Sequence, residues 1–283
     1  MKVAVGLDEL RSLRQELESP FGLVPTMGFL HEGHLSLVRE ARGQCASVGV
    51  SIFVNPTQFA PSEDLDSYPR DLDRDLELLE KEGVDLVWTP TDVDVYPPGA
   101  QTWVEVAELT QELEGKRRPG HFCGVTTVVA KLFNAFQPDK AFFGQKDAQQ
   151  AVVIQRMVKD LLFPIETVVC PIVREPDGLA LSSRNTYLDP EQRQAATALS
   201  RALRAAESAF EAGERDADVL RHTMMDVLNA EPLAEVQYVS AADPQTLREL
   251  EGEVDGTLLS IAVYVGKTRL IDNVVLGKKG LGN

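Results

Sequence analysis

Cysteine is scarce in this chain: Cys45, Cys123 and Cys170 are far apart and form no CxxC pair. That excludes a disulfide framework and points to reduced, packing thiols of a cytosolic protein. No run approaches about 18 consecutive apolar residues, and Met1 to Ser12 hold no apolar signal core, so neither a membrane span nor an export signal is expected. Positive charge is also short. Lys and Arg number 28 against 44 Asp and Glu, a net charge of -16. A general nucleic-acid surface needs a basic stripe, which this balance argues against. An anionic substrate would have to sit on a local basic island. GxxxxGK[ST] and GxGxxG are missing, which removes the usual phosphate-loop and dinucleotide signals. GxSxG is missing too, which disfavours a serine hydrolase. Neither an internal repeat nor a low-complexity segment is found.

The 283 residues are 43% hydrophobic and 25% charged, enough for two modest globular domains or one large one. The stretch from Leu23 to His34, LVPTMGFLHEGH, organises the rest. Phe21 to Val24 reads as a short buried strand, Pro25 ends it, Gly28 and Gly33 permit tight turning, and a helical pattern starts at Leu35. Strand, glycine-containing loop and helix in this order make the ligand crevice of an α/β sheet, with helix amides suited to phosphate. His31 and His34 fall where loop meets helix. One histidine alone would more often be a cap or a packed ring, but paired histidines in this setting favour a ligand site.

Further along, Val48 to Val54 predicts a strand buried on both faces, ending in the polar Asn55-Pro56-Thr57-Gln58-Phe59. Pro69 to Glu82 predicts an acidic helix, with Asp73 and Asp75 on its solvated face, and Val84 to Trp88 the next strand. Lys116 to Arg118 is the densest basic cluster, and such a run is usually solvated. A helix over Val125 to Phe136, a strand over Lys140 to Phe143, the turn Gly144-Gln145-Lys146-Asp147, a helix over Ala148 to Leu161 and a strand over Ile165 to Cys170 follow. Alternating strands and helices predict a doubly wound α/β domain. A polar loop from Val173 to Asn185 then joins it to a smaller α+β domain. That domain has helices over Glu191 to Ala212 and Ala217 to Leu228, strands over Val236 to Ser240 and Leu258 to Val265, and a polar tail.

Four polar groups fall at predicted junctions: His31/His34, Asn55/Gln58, Lys146/Asp147 and Ser182/Ser183/Arg184. Imidazole, ammonium, guanidinium and hydroxyl groups all donate to phosphate oxygens, while the amides suit neutral or carboxylate groups. Each has a plain alternative. Lys146 could pair with Asp147 or cap a helix, Ser182 to Arg184 could be a turn with a surface arginine, and Cys123 has no evident activator beyond His121. Their joint occurrence outweighs these alternatives.

These residues carry a resemblance. Pro25-Thr26-Met27-Gly28 with His31-Glu32-Gly33-His34 resembles the signature of the pantothenate synthetase (pantoate–β-alanine ligase) family, within the HxGH nucleotidyltransferase superfamily. Ser51 to Phe59, Tyr68-Pro69-Arg70, Gly120-His121-Phe122, Phe143 to Gln150, Leu181 to Asn185 and Gly266 to Asn273 are similar as well. The resemblance implies a Rossmann-like domain over residues 1–173 that binds nucleotide and pantoate, and a C-terminal α+β lid over residues 174–283. It implies a cytoplasmic homodimer that condenses pantoate with β-alanine through a pantoyl adenylate, cleaving ATP to AMP and pyrophosphate with Mg2+. No nucleic-acid or membrane partner is implied. By residue, it implies catalytic roles for His31, His34 and Lys146. ATP contacts fall to Met27, His31, Gly33, His34, Gly144, Lys146, Asp147, Val173, Ser182, Ser183 and Arg184. Pantoate contacts fall to Pro25, Met27, Gln58 and Gln150; apart from the resemblance, Asp75 on the acidic helix is a candidate to reach a magnesium ion. Arg118 and His121 are expected near the site. Cys123 stands where the family commonly has arginine, and Gln145 where it commonly has glutamate.

Two other classes compete. A different nucleotidyltransferase would need no amine acceptor. A nucleotide sensor would bind ATP without releasing pyrophosphate.

Overall fold

The computed structural model describes residues 1–60, 63–277 and 280–281. The chain divides into two compact units, residues 1–144 with 153–170, and residues 145–152 with 171–283.

The first unit is built on six strands: β1 (Lys2–Ala4), β2 (Phe21–Thr26), β3 (Ser47–Ile52), β4 (Leu86–Trp88), β5 (Lys140–Gly144) and β6 (Glu166–Cys170). They form one all-parallel sheet in the order β1-β4-β3-β2-β5-β6. Consecutive strands step outward from β2 on one side, and β5 starts the other side. The switch point therefore lies between β2 and β5, where sheets of this kind open a ligand crevice. Register is fixed by six consecutive β2–β3 pairs, from Phe21 with Ser47 to Thr26 with Ile52. Val24, Val48, Val50 and Val87 are fully buried and pack with Leu37, Val38 and Leu79 of the helices. Apolar runs covered on both faces are what a parallel sheet demands.

β1 and the helix Leu7–Gln15 were not anticipated, because both are short and mostly exposed. The predicted helix over Val125 to Phe136 begins four residues earlier, at His121. Gly120, at φ 82, turns the chain into it, so the Gly-His-Phe-Cys stretch is a helix start rather than a loop.

The second unit holds an antiparallel sheet of β7 (Ala234–Ala242), β8 (Gly256–Val265) and β9 (Thr268–Gly277). The expected polar tail is largely β9. Gly266, at φ 61, and Lys267 make a two-residue hairpin turn that pairs Val265 with Thr268. The tail's alternating residues thereby become a buried strand. The long helix predicted from Glu191 is broken into Pro190–Ala195 and Ala198–Glu211. At the break Thr197 Oγ1 donates to the Gln194 carbonyl, 2.7 Å, a local bond that competes with the helical ladder. Leu199, Leu203, Leu220, Met224 and Leu228 pack with Ile261 and Val263 of the sheet. Among the described residues, no helix is long and apolar enough to cross a membrane.

Candidate active site

In the first unit, β2 leads through Met27, Gly28, Phe29 and Leu30 into the helix Glu32–Gln44. Gly28 has φ 81 and Phe29 φ 49, so the backbone turns left-handed at two consecutive residues. A bulky residue in that conformation is strained unless something holds it. Asp75 holds it. Its Oδ2 accepts the Phe29 N–H at 2.7 Å and its Oδ1 the Leu30 N–H at 2.7 Å, while Arg74 donates to the Leu30 carbonyl at 3.0 Å. A Cβ on Gly28 would lie 3.1 Å from Asp75 Oδ2. Asp75 therefore does not face solvent as its helix pattern suggested. It is 1% exposed, on the inner side of the helix Leu72–Lys81. Burial raises its pKa above the usual carboxylate value, and the two backbone bonds oppose that rise. Among the described residues, no group of three or more His, Cys, Asp or Glu side chains gathers to hold a metal ion.

His31 is the N-cap of the helix Glu32–Gln44. Its Nδ1 accepts the Gly33 N–H at 3.1 Å, and His34 Nδ1 accepts the His31 N–H at 3.3 Å. The two rings form a reciprocal capping box, with centroids 4.0 Å apart. Accepting a backbone proton at Nδ1 requires the lone pair there, so the ring proton of each neutral imidazole sits on Nε2. Two Nε2–H donors at a helix N-terminus are suited to an anion.

A second group of polar side chains surrounds the loop after β3. Asn55 is 1% exposed and fully engaged. Its Nδ2 donates to Gln58 Oε1 at 3.0 Å and to the Gly124 carbonyl at 3.1 Å, and its Oδ1 accepts from Tyr96 at 2.8 Å and Thr57 at 2.9 Å. Because Asn55 fills Gln58 Oε1, the Gln58 amide nitrogen is turned the other way, 3.1 Å from Met27 Sδ. Gln58 thus presents a donor beside Met27. A cleft of about 510 Å³ is lined by Met27, Phe29, Phe53, Pro56, Arg70 and Asp75 among others. Pro25 lies in β2, half-buried, and Gly144 ends β5.

The basic cluster splits. Lys116 and Arg117 are exposed, but Arg118 is half-buried. It grips Glu63 at 2.6 and 2.8 Å, and its Nη1 lies 3.1 Å from His121 Nε2. Burial alone would lift the pKa of Glu63, but the Arg118 bonds prevail and hold it low. A guanidinium only donates, so His121 Nε2 accepts and His121 Nδ1–H donates to the Gln58 carbonyl at 2.8 Å. Burial, then the Arg118 charge, lowers the His121 pKa to about 4. Glu63, Arg118 and His121 therefore form a chain of contacts ending on the Gln58 backbone. Cys123 is half-buried, and burial raises its thiol pKa.

In the second unit, Gln145–Asp147 is a single 3-10 turn, with Lys146 Nζ 3.6 Å from Asp147 Oδ1. Gln150 is half-buried in the first turn of the helix Ala148–Asp160. Val173 and Leu181 are joined by a backbone bond of 3.0 Å across a hairpin closed by the Arg174–Ala180 bridge. Arg193 grips that hairpin at Glu175 and Asp177, 2.9 and 2.7 Å. Ser182, whose hydroxyl accepts the Arg184 N–H at 3.3 Å, caps the 3-10 segment Ser183–Tyr187. The Ser-Ser-Arg stretch is thus a capped turn rooted on a pinned hairpin. Sequence reasoning missed Asp75 as a clamp, Glu63, Tyr96 and the tethering bonds of Asp272 and Asn273 in β9, although Gly266 to Asn273 carried part of the resemblance. The signal that could have pointed to Asp75 was its spacing of four residues from the buried Leu79 on the same helix.

A family profile described as pantoate-beta-alanine ligase matches residues 2–275. The pantothenate synthetase of Roseiflexus sp. (strain RS-1) is 60% identical over 276 residues, covering 98% of this chain and 99% of that relative. A crystal structure of pantothenate synthetase from Thermus thermophilus is 46% identical, with a TM-score of 0.92, covering 97% of this chain and 99% of that one. The pantoate-beta-alanine ligase of Francisella tularensis, solved with beta-gamma ATP and beta-alanine, is 35% identical with a TM-score of 0.81, each chain covered to 97%.

Proposed function

This chain belongs to the pantoate-beta-alanine ligase family, and on that premise we propose that it joins pantoate to β-alanine through a pantoyl adenylate. The observation that carries the adenylate reading is the pair of Nε2–H imidazoles of His31 and His34 at one helix N-terminus.

A carboxylate oxygen of pantoate bonds to the α-phosphorus of ATP as the bond to the β-phosphate oxygen breaks, and pyrophosphate leaves. The neutral amine of β-alanine then attacks the acyl carbon, the C–O bond to AMP breaks, and the amine loses a proton. Such transfer is chiefly positioning and charge stabilisation, with no protein nucleophile. His34 and Lys146 stabilise the developing charge with His31, and Ser182, Ser183 and Arg184 donate to phosphate oxygens. Met27, Gly33, Gly144, Asp147 and Val173 complete the ATP contacts. Magnesium, if carried in with ATP, would neutralise phosphate charge alongside Lys146 and Arg184.

Gln58, its amide nitrogen set outward by Asn55, donates to the pantoate carboxylate or hydroxyls beside Pro25 and Met27, and Gln150 is the further pantoate contact that the family resemblance implies. Three free cysteines suit a reducing cytoplasm. The homodimer rests on the family resemblance.

Pantoate-dependent exchange of labelled pyrophosphate into ATP, without β-alanine, tests the reading. Exchange is the expected result. Its absence, with pantothenate still forming once β-alanine is added, would mean that the steps are concerted or that pyrophosphate stays bound; no activity in either assay would bring the ligase reading down.

A further inference from the structure

Strand β9 carries two adjacent polar residues, Asp272 and Asn273, only 2% and 3% exposed. Burying a carboxylate and an amide side by side is costly unless their polar atoms are matched. Asn273 Nδ2 donates to the backbone carbonyls of Gln145 at 3.0 Å and Lys146 at 2.9 Å. Its Oδ1 lies 3.3 Å from Gln145 Nε2, which donates to it. Both amide hydrogens and the carbonyl are thereby spent on one 3-10 turn. Asp272 takes the Arg174 guanidinium on both oxygens, at 2.6 and 2.9 Å, and Arg174 also donates to the Gly178 carbonyl at 3.1 Å. Asp272 Oδ1 in addition accepts the Asn273 N–H at 2.8 Å.

We propose that Asn273 is the positioning residue for Lys146; its neighbour Asp272 ties the same strand, through Arg174, to the hairpin leading to Ser182–Arg184. The inference rests on the reading of Lys146 and Ser182–Arg184 as phosphate donors. An isolated 3-10 turn is weakly held, and its lysine would sweep a wide arc. Bonds to the carbonyls of residues 145 and 146 fix the peptide planes on either side of the Lys146 Cα. The ammonium then swings from a root set by a sheet, and misplacement by about 1 Å can cost on the order of a hundredfold in rate. A single strand thus sets the root of both donor segments of this unit. Gln145 suits this clamp, because a carboxylate in its place would face Asn273 Oδ1 lone pair to lone pair.

The test is pantoate-dependent pyrophosphate exchange by the full chain and by its Asn273→Ala and Asn273→Asp variants, with melting curves for each. Exchange by the parent chain upholds the adenylate reading; absence of both exchange and pantothenate formation brings down that reading and, with it, this inference, and if pantothenate forms without exchange the same constants are read from pantothenate synthesis. Given exchange, Asn273→Ala is expected to raise KM for ATP or lower kcat by about tenfold or more, with KM for pantoate within about twofold. Rates within about twofold of the parent, or a parallel rise of both KM values, would overturn the positioning role while leaving the adenylate reading intact. Asn273→Asp keeps the shape but turns lone pairs toward the two carbonyls. Protonation restores one donor, so its deficit relative to the parent should shrink as pH falls. A deficit that does not vary with pH would overturn the proposal, even if Asn273→Ala fails to fold.

Discussion

Asp75 Oδ2 lies 2.7 Å from the backbone nitrogen of Phe29, 46 residues earlier in the chain. That bond, with its partner on Leu30, holds the left-handed turn from which the His31–His34 box emerges. The turn is thus shaped by a carboxylate from a different helix.

Asp75→Ala should destabilise the first unit by about 2–4 kcal/mol, since two buried N–H groups lose a charged acceptor. It should also slow pyrophosphate exchange by about tenfold or more, by loosening the histidine pair. Urea unfolding and exchange kinetics measure the two effects. As a clamp only, Asp75 is expected to leave the magnesium dependence of the rate unchanged when it is replaced. A shifted magnesium optimum in Asp75→Asn would instead mark this carboxylate as a ligand.

Gly124→Ala should raise KM for pantoate more than KM for ATP. The added Cβ would lie 2.5 Å from the Thr57 carbonyl oxygen and 2.7 Å from the Gln58 nitrogen, both backbone atoms that cannot swing aside. Alanine favours a helix over glycine by about 1 kcal/mol, but overpacking here costs about 1–3 kcal/mol, so a net loss of stability is expected. Unchanged steady-state constants for pantoate would show that the loop bearing Gln58 does not define its pocket.

Gln58→Glu replaces the outward amide donor by an anionic oxygen. If that nitrogen meets the pantoate carboxylate, KM for pantoate rises by about a hundredfold or more, from a lost hydrogen bond plus like-charge repulsion. ATP binding, followed by protection against heat, should stay close to that of the parent.

Acid should weaken the protein through His121. Its pKa falls from 6.5 to about 4 in the folded chain, by burial and by the facing Arg118, so the unfolded state binds more protons between those values. Stability is then fully present above about pH 6.5 and is lost as pH falls toward 4, by up to about 3 kcal/mol. Unfolding midpoints from pH 7.5 to 4.5 should fall more steeply for the parent than for His121→Gln. Parallel curves would place the acid sensitivity elsewhere.

Lys146→Ala should slow single-turnover adenylation by about 10²–10³-fold, as loss of a directed charge donor does elsewhere. Melting should hardly change, because Lys146 pairs only loosely with Asp147, at 3.6 Å. Full adenylation in this variant would remove Lys146 from the chemistry.

Where the signal was local, the residues alone were enough. The strand, glycine turn and histidine pair from Phe21 to His34 lie within one short stretch, and apolar runs such as Val48 to Val54 announce a doubly buried sheet. The Ser-Ser-Arg turn was legible by the same means. Reading failed where a side chain's partner lies far along the chain. Asp75 looks like any acid on a charged helix, and Arg118 like one of three solvated cations. The tail after Val265 reads as polar because its two buried polar residues are matched only once folded.

The sequence by itself determined the class of fold and the alternation of strands and helices around the Phe21–His34 turn, because periodicity and turn chemistry act over a few residues. Only the tertiary structure decided which carboxylates and amides are buried and what holds each donor segment. The tautomers of His31 and His34 follow from bonds within one turn, but the buried carboxylates and amides depend on desolvation and on partners far along the chain, 46 residues apart for Asp75 and Phe29 and 128 for Asn273 and Gln145.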